Sequence, residues 1–190
     1  QQNAIPALLQ NDTDMVSLAQ TGTGKTAAFG FPLLQKIKVS NRNTQGLILS
    51  PTRELCLQIT NELKLYSKYL PEVRIVAVYG GASITEQASQ LRKGAHIIVA
   101  TPGRMQDMIN RGMAAIENIS YCILDEADEM LNMGFLEDIQ NILSHTPKDK
   151  HTWLFSATMP KEVATIAKRF MQTPIEITVG QKNASANTVE

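Results

Sequence analysis

Cysteine is scarce: only Cys56 and Cys122 occur in 190 residues. Each is flanked by apolar residues, which favours buried free thiols in a reducing compartment over a disulfide framework. Aromatic residues make up 5%, with a single tryptophan, leaving little material for a platform that stacks bases. Neither sign of charge prevails, since Lys+Arg and Asp+Glu number 18 each. That balance provides no global field to draw in a membrane or nucleic acid, and counts against a binder of duplex DNA. No apolar run is long enough to span a bilayer and no secretory segment is evident, so a cytoplasmic setting is expected.

The rest of the composition is ordinary for a globular domain, with 43% hydrophobic and 19% charged residues. The length suits one domain with a sizeable core. The chain opens on "QQNAIP" without a methionine, as a segment from inside a longer protein would.

Short apolar runs alternate with longer helical patterns. "MVSLA" (15–19), "GLILS" (46–50), "RIVAVYG" (74–80), "HIIVA" (96–100), "YCIL" (121–124) and "TWLFS" (152–156) read as strands. Most are apolar on both faces, as strands buried between two helix layers are. Between them, residues 53–70 carry Leu55, Ile59, Leu63 and Tyr66 at helical spacing. "SITEQASQLRK" and "PKEVATIAKRFM" read as shorter helices, the second with Pro160 in its first turn. The pattern predicts an α/β fold: an open, mainly parallel sheet flanked by helices on both faces. Residues 181–190 lose apolar content and periodicity, and read as a linker or tail.

"LAQTGTGKTAAF" follows the first strand and opens the first long helix. Inward-pointing amides and a helix N-terminus make such a turn a phosphate site. Gly22 and Gly24 permit close approach of the backbone. Lys25 would neutralise terminal phosphates, and the Thr26 hydroxyl would reach a magnesium ion. Ala19 replaces the first glycine of the generic motif. A plain glycine-rich turn with a surface lysine is the alternative, disfavoured by strand, turn and helix falling in the required order.

Four acids, Asp125, Glu126, Asp128 and Glu129, crowd the end of "YCIL". Acids in a first helical turn complement the macrodipole, which suffices for Glu129. Two acids directly ending a buried strand call for a cation. Asp125 is placed to hold magnesium directly or through water, and Glu126 to act as base or orienter for an attacking water. Ser156 and Thr158, in "FSATMP", are hydroxyl donors at the next strand end and suit a bond to Asp128.

Together these pieces resemble the first core domain of a DEAD-box RNA helicase. "AQTGTGKT" (19–26), "PTREL" (51–55), "GG" (80–81), "TPGR" (101–104), "DEAD" (125–128) and "SAT" (156–158) follow that family's motifs in order. The wording "LDEADEMLNMGF" resembles bacterial members. The resemblance implies a RecA-like ATP-binding domain over residues 1–180, followed by an interdomain linker over 181–190. The family's second core domain, with its arginine finger, has no counterpart here. It implies ATP and Mg²⁺ as cofactors, held by Gln20, Thr21, Gly22, Thr23, Gly24, Lys25, Thr26 and Asp125. Lys25, Asp125 and Glu126 would be catalytic, and Thr26 and Asp125 would serve the metal. Gln1 occupies the position of the family glutamine that reads the adenine edge; the stacking aromatic would lie upstream.

Asp128, Ser156 and Thr158 would couple ATP turnover to RNA strand separation. RNA would be held through its backbone, largely independent of sequence, by Thr52, Arg53, Gly81, Thr101, Gly103 and Arg104. In "TPGR", Thr101 at a helix cap and Pro102 at the first position leave free amides for RNA phosphates, with Arg104 adding a cation. The second helicase domain of the same parent is the other implied partner. Alone, the chain is expected to show negligible ATPase and unwinding. A phosphate-loop NTPase acting on DNA and a nucleotide-gated docking module are the competing readings. His96, His145 and His151 show no metal spacing, and Met105, Met108, Met113, Met130 and Met133 read as core filler.

Overall fold

Apolar residues on both sides of nearly every strand force a sheet covered on two faces. The computed structural model describes residues 3–20 and 24–179, and shows a seven-stranded sheet in which every ladder is parallel. The strands are β1 (Met15–Ala19), β2 (Gly46–Leu49), β3 (Ile75–Val78), β4 (Ile97–Ala100), β5 (Tyr121–Leu124), β6 (His151–Ser156) and β7 (Ile175–Val179). Their spatial order is β3-β4-β2-β5-β6-β1-β7.

The described helices are α1 (Ala4–Gln10), α2 (Lys25–Lys36), α3 (Arg53–Tyr66), α4 (Ile84–Arg92), α5 (Pro102–Asn110), α6 (Ala127–Asn132), α7 (Leu136–Ser144) and α8 (Lys161–Phe170). Helices α1, α2 and α3 cover one face, with Leu8, Phe29, Leu33, Ile59 and Leu63 in its core. Helices α4 to α8 cover the other, through residues such as Ala88, Met105, Met130, Ile139 and Ile166. Strand residues alternate between the two cores as the pleat requires. In β2, Leu47 and Leu49 face one layer and Ile48 the other; in β5, Cys122 and Leu124 oppose Ile123.

All six expected strands form, with ends shifted by a residue or two. The additional strand, β7, lies at the sheet edge beside β1. Its sequence "IEITV" alternates apolar and polar residues, and Ile175 is 36% exposed, so it lacks the two-sided apolar signature of the others. Pro160 stands at the cap of α8, one residue before the helix proper. Both cysteines are buried free thiols, whose burial pushes each up to about 12. Of the five methionines read as core filler, Met105, Met108 and Met130 are fully buried and Met113 packs against the core from its edge, whereas Met133 is exposed and is not core.

Asp14 stitches the sheet's amino end together. Its carboxylate accepts the amide of Thr152, at the start of β6, at 2.7 Å, and that of Gln172, just after α8. Its main-chain oxygen accepts from Ile175, at the start of β7.

Candidate functional site

The sheet order sorts the candidate residues into two contiguous patches, both at the carboxyl ends of strands. Neighbouring strands β5, β6 and β1 are followed by Asp125–Asp128, Ser156–Thr158 and the glycine-rich turn, respectively. Neighbouring strands β3, β4 and β2 are followed by Gly81, Thr101–Arg104 and Thr52–Arg53. Pairing of β2 with β5 joins the two patches.

Gly24 caps α2 at φ 100°, a left-handed conformation that glycine adopts without steric penalty. Lys25 and Thr26 therefore begin the helix, and Thr26 is buried at 7% exposure. Gln20 is exposed just before the turn. Gln1, Thr21, Gly22 and Thr23, like the tail at 181–190, lie outside the described residues.

Lys25 and Asp125 both line a cleft of about 300 Å³, together with Gly24, Thr26 and Glu126. Asp125 is 3% exposed; its amide donates to the Leu49 carbonyl at 2.9 Å. Burial pushes its carboxyl up to about 7; Lys25 opposes that shift and Glu126 adds to it. The Lys25 Nζ and the Asp125 Oδ1 are both buried without a hydrogen-bond partner among the described residues. Buried polar atoms normally have partners, and two of opposite charge left open in one cleft mark a place for a ligand. A cation for phosphate oxygens beside a carboxylate for a hard metal fits a magnesium-bound polyphosphate. No cluster of three or more His, Cys, Asp or Glu side chains among the described residues would hold a metal. One carboxylate assisted by water and phosphate oxygens is a common way to bind magnesium.

Glu126 takes φ 49°, a strained conformation for a non-glycine residue, at the cap of the short helix α6. Such strain costs on the order of 1–3 kcal/mol and clusters at functional sites. The bend turns the chain so that Glu126 lines the cleft while Asp128 faces β6.

Asp128 meets "SAT" as the hydroxyl pattern suggests. Its Oδ2 accepts the Thr158 amide at 3.1 Å and the Thr158 hydroxyl at 3.0 Å; its own amide donates to the Ser156 Oγ at 3.2 Å. Burial pushes the carboxyl up, but the bonds from Thr158, Ser156 and the amides of Ala157 and Glu129 outweigh it and hold it below its usual range.

In the second patch the Thr52 hydroxyl caps α3, accepting the Leu55 amide at 3.1 Å. The Arg53 guanidinium lies 5.1 Å from the centre of the Tyr79 ring and close against Gly81. Thr101 and Pro102 open α5 as the sequence suggests, although the Thr101 hydroxyl makes no cap bond. Gly103 is exposed in the first turn of that helix. Arg104 is not a wholly free cation: its Nη1 donates to the Ala82 carbonyl and to Gln87 Oε1, both at 3.1 Å. Gln87 in turn bonds the Tyr79 amide and carbonyl, so Arg104 braces the loop that carries Gly81.

Sequence reasoning misses other residues that line this cleft. Gln58, Glu62 and Tyr66 line it from one face of α3, with Glu62 accepting from Gln58 at 3.2 Å and from the Tyr66 hydroxyl at 3.5 Å. Their i, i+4, i+8 spacing is the available signal. Helical spacing alone puts Tyr66 on the apolar stripe; it is half-buried and stacks on Phe31 with ring centres 4.5 Å apart.

Comparison with known proteins agrees with this arrangement. The DEAD/DEAH box helicase family matches residues 1–166. The chain is 48% identical over its whole length to the DEAD-box ATP-dependent RNA helicase CshA of Geobacillus kaustophilus, covering 40% of that protein. It is 45% identical over 185 residues, 97% of the chain, to the ATP-dependent RNA helicase DeaD of Mycobacterium tuberculosis, covering 33% of it. Both relatives are bacterial, in keeping with the wording around "DEAD", and the chain spans well under half of either. Among solved structures, a DEAD box protein from Methanococcus jannaschii superposes with a TM-score of 0.85 at 42% identity, over 93% of this chain and 48% of that one. A hypothetical ATP-dependent RNA helicase from Sulfolobus tokodaii gives a TM-score of 0.85 at 36% identity, over 94% of this chain and 51% of that one. Fold, motif order and sequence agree: the chain belongs to the DEAD/DEAH box helicase family, with a RecA-like fold.

Proposed function

We propose that residues 1–180 form the ATP-binding first core domain of an RNA helicase, with 181–190 leading toward a second domain of the same parent. The observation that carries this reading is a pair of buried atoms in one cleft, Lys25 Nζ and Asp125 Oδ1, without partners among the described residues. Lys25 and the amides around Gly24 bind the phosphates of ATP, and Thr26 and Asp125 would hold Mg²⁺, partly through water. When bound, the metal neutralises charge on the phosphate oxygens. Glu126 orients the attacking water and accepts its proton, while Lys25 remains on the terminal phosphate.

RNA lies along the patch of Thr52, Arg53, Gly81, Thr101, Gly103 and Arg104. Its contacts are to the sugar–phosphate backbone and carry little sequence information. The first-turn amides of α5 supply phosphate donors, and Arg104 acts chiefly by bracing its neighbour loop. The bond between Asp128 and Thr158 transmits nucleotide state from β5 to β6. No described helix is long and apolar enough to cross a membrane, and two buried free thiols suit a reducing cytoplasm.

An arginine finger from a second domain is worth about 10³–10⁵ in rate, so the 190-residue chain alone has negligible ATPase and unwinding. The test uses the two-domain parent, assayed for ATP hydrolysis with and without RNA. Glu126→Gln should abolish RNA-stimulated turnover and leave nucleotide binding intact. Turnover unchanged by Glu126→Gln would remove that residue from its role. Stimulation by DNA in place of RNA would favour the translocase reading.

A further inference from the structure

We propose that the opposite, amino end of the sheet carries a second phosphate-binding site, which takes the backbone of an RNA strand extending beyond the carboxyl-end patch. The inference rests on the reading above that the parent acts on RNA. A concavity of about 420 Å³ there is lined by Arg42, Arg74, Arg92 and Lys93 and by no acidic or aromatic residue. In a chain whose charges balance at 18 of each sign, four cations without a carboxylate among them make a local positive field. None of the four forms a salt bridge among the described residues.

Arg92 and Lys93 stand at the C-terminus of α4, where cations suit the macrodipole. That explanation does not reach Arg42 or Arg74, which come from two other segments, before β2 and β3. The Arg74 guanidinium lies directly on Gly94, where an added Cβ would fall 2.6 Å from its Nη2.

The floor is rigid. His96, 2% exposed, accepts the Arg74 amide at Nδ1 and so donates from Nε2 to the Val39 carbonyl. Buried Gln45 bonds both Lys38 and Asn41, ordering the loop that bears Arg42. A site held in place before binding loses less entropy when a ligand arrives.

Guanidinium forks match phosphate oxygens in pairs. Without an aromatic side chain the pocket cannot stack a base, which favours a phosphodiester backbone over a free nucleotide. Strands of four to six residues make the sheet roughly 13–20 Å deep. An RNA of about ten or more nucleotides, at about 3.4 Å each when stacked, spans both ends.

The test is fluorescence anisotropy of the 190-residue chain with labelled single-stranded RNAs of about six and about twenty nucleotides, over a range of salt. The triple variant Arg42→Gln/Arg74→Gln/Arg92→Gln, checked for an unchanged melting temperature, should bind the long RNA about tenfold more weakly. Its log K against log salt slope should shrink by about 0.7 for each phosphate that the variant leaves without a cation. The short RNA should bind as before, and replacement of the same arginines by lysine should restore most of the slope. Equal affinity and slope for the long RNA would overturn the second site alone. Equal weakening on short and long RNA would also overturn it, by placing the effect at the carboxyl-end patch. Polyglutamate should displace the long RNA from neither protein; polyglutamate binding that alone depends on the arginines would assign the pocket to acidic peptides instead. Wild-type protein that binds neither RNA would reject the function proposed above together with this site.

Discussion

Thr158 donates both its backbone amide and its hydroxyl to one oxygen of Asp128, at 3.1 and 3.0 Å. The contact joins the last acid of "DEAD" to the loop after β6, and Ser156 completes it from the other side. A residue that only capped α6 would need no such partner. The geometry therefore ties the segment after β5, which carries Asp125 and Glu126, to the end of β6 and the loop that follows it.

Replacing Thr158 by alanine removes the hydroxyl and keeps the amide. Because Thr158 is exposed, the loss in stability should be about 1 kcal/mol or less. In the two-domain parent, strand separation should fall well below wild type while nucleotide binding stays near it. Parallel titration and unwinding assays check this; equal decreases in both would make the contact merely structural.

The Asp128 bond also predicts a pH signature. The folded carboxyl titrates below its ordinary value of 3.8, so its contribution to stability is complete above that value. The contribution declines as pH falls below 3.8 and is gone once the folded carboxyl is protonated. Melting temperatures of wild type and Asp128→Asn should differ by a constant amount at neutral pH and converge in acid. A difference that persists below the folded titration would contradict the assignment.

Asp14 should be the most sensitive polar position outside the cleft. Asp14→Ala leaves the amides of Thr152 and Gln172 without their acceptor, and should cost about 2–5 kcal/mol. Asp14→Asn keeps one good acceptor oxygen and should cost about half as much. Chemical denaturation of the three proteins decides, and an alanine variant within about 0.5 kcal/mol of wild type would show that these bonds are replaceable.

The six expected strands, including β3 at the far edge of the sheet, were legible because each presents apolar residues to both helix layers, a pattern visible without knowing their order. β7 was not, since its "IEITV" alternates apolar and polar residues where β3, at the other edge, reads "IVAV". The cleft was legible on the side built from contiguous motifs, where Lys25, Asp125 and Glu126 meet. Its other wall was obscure because Gln58, Glu62 and Tyr66 belong to a helix whose apolar stripe, Ile59 and Leu63, dominates the pattern. Arg104 shows a different limit. Its charge was readable, but its bonds to Ala82 and Gln87 depend on β3 and β4 being neighbours, which no local stretch encodes.

The proposed nucleotide site stands on Lys25 for the phosphates and Asp125 for the metal, in one cleft. Calorimetric titration of the 190-residue chain with ATP in magnesium, beside the Lys25→Ala variant, tests it most directly. Wild type should show saturable one-site binding, and the variant a weakening of at least about tenfold, from removal of a charge-assisted hydrogen bond. Equal binding by both proteins would contradict it.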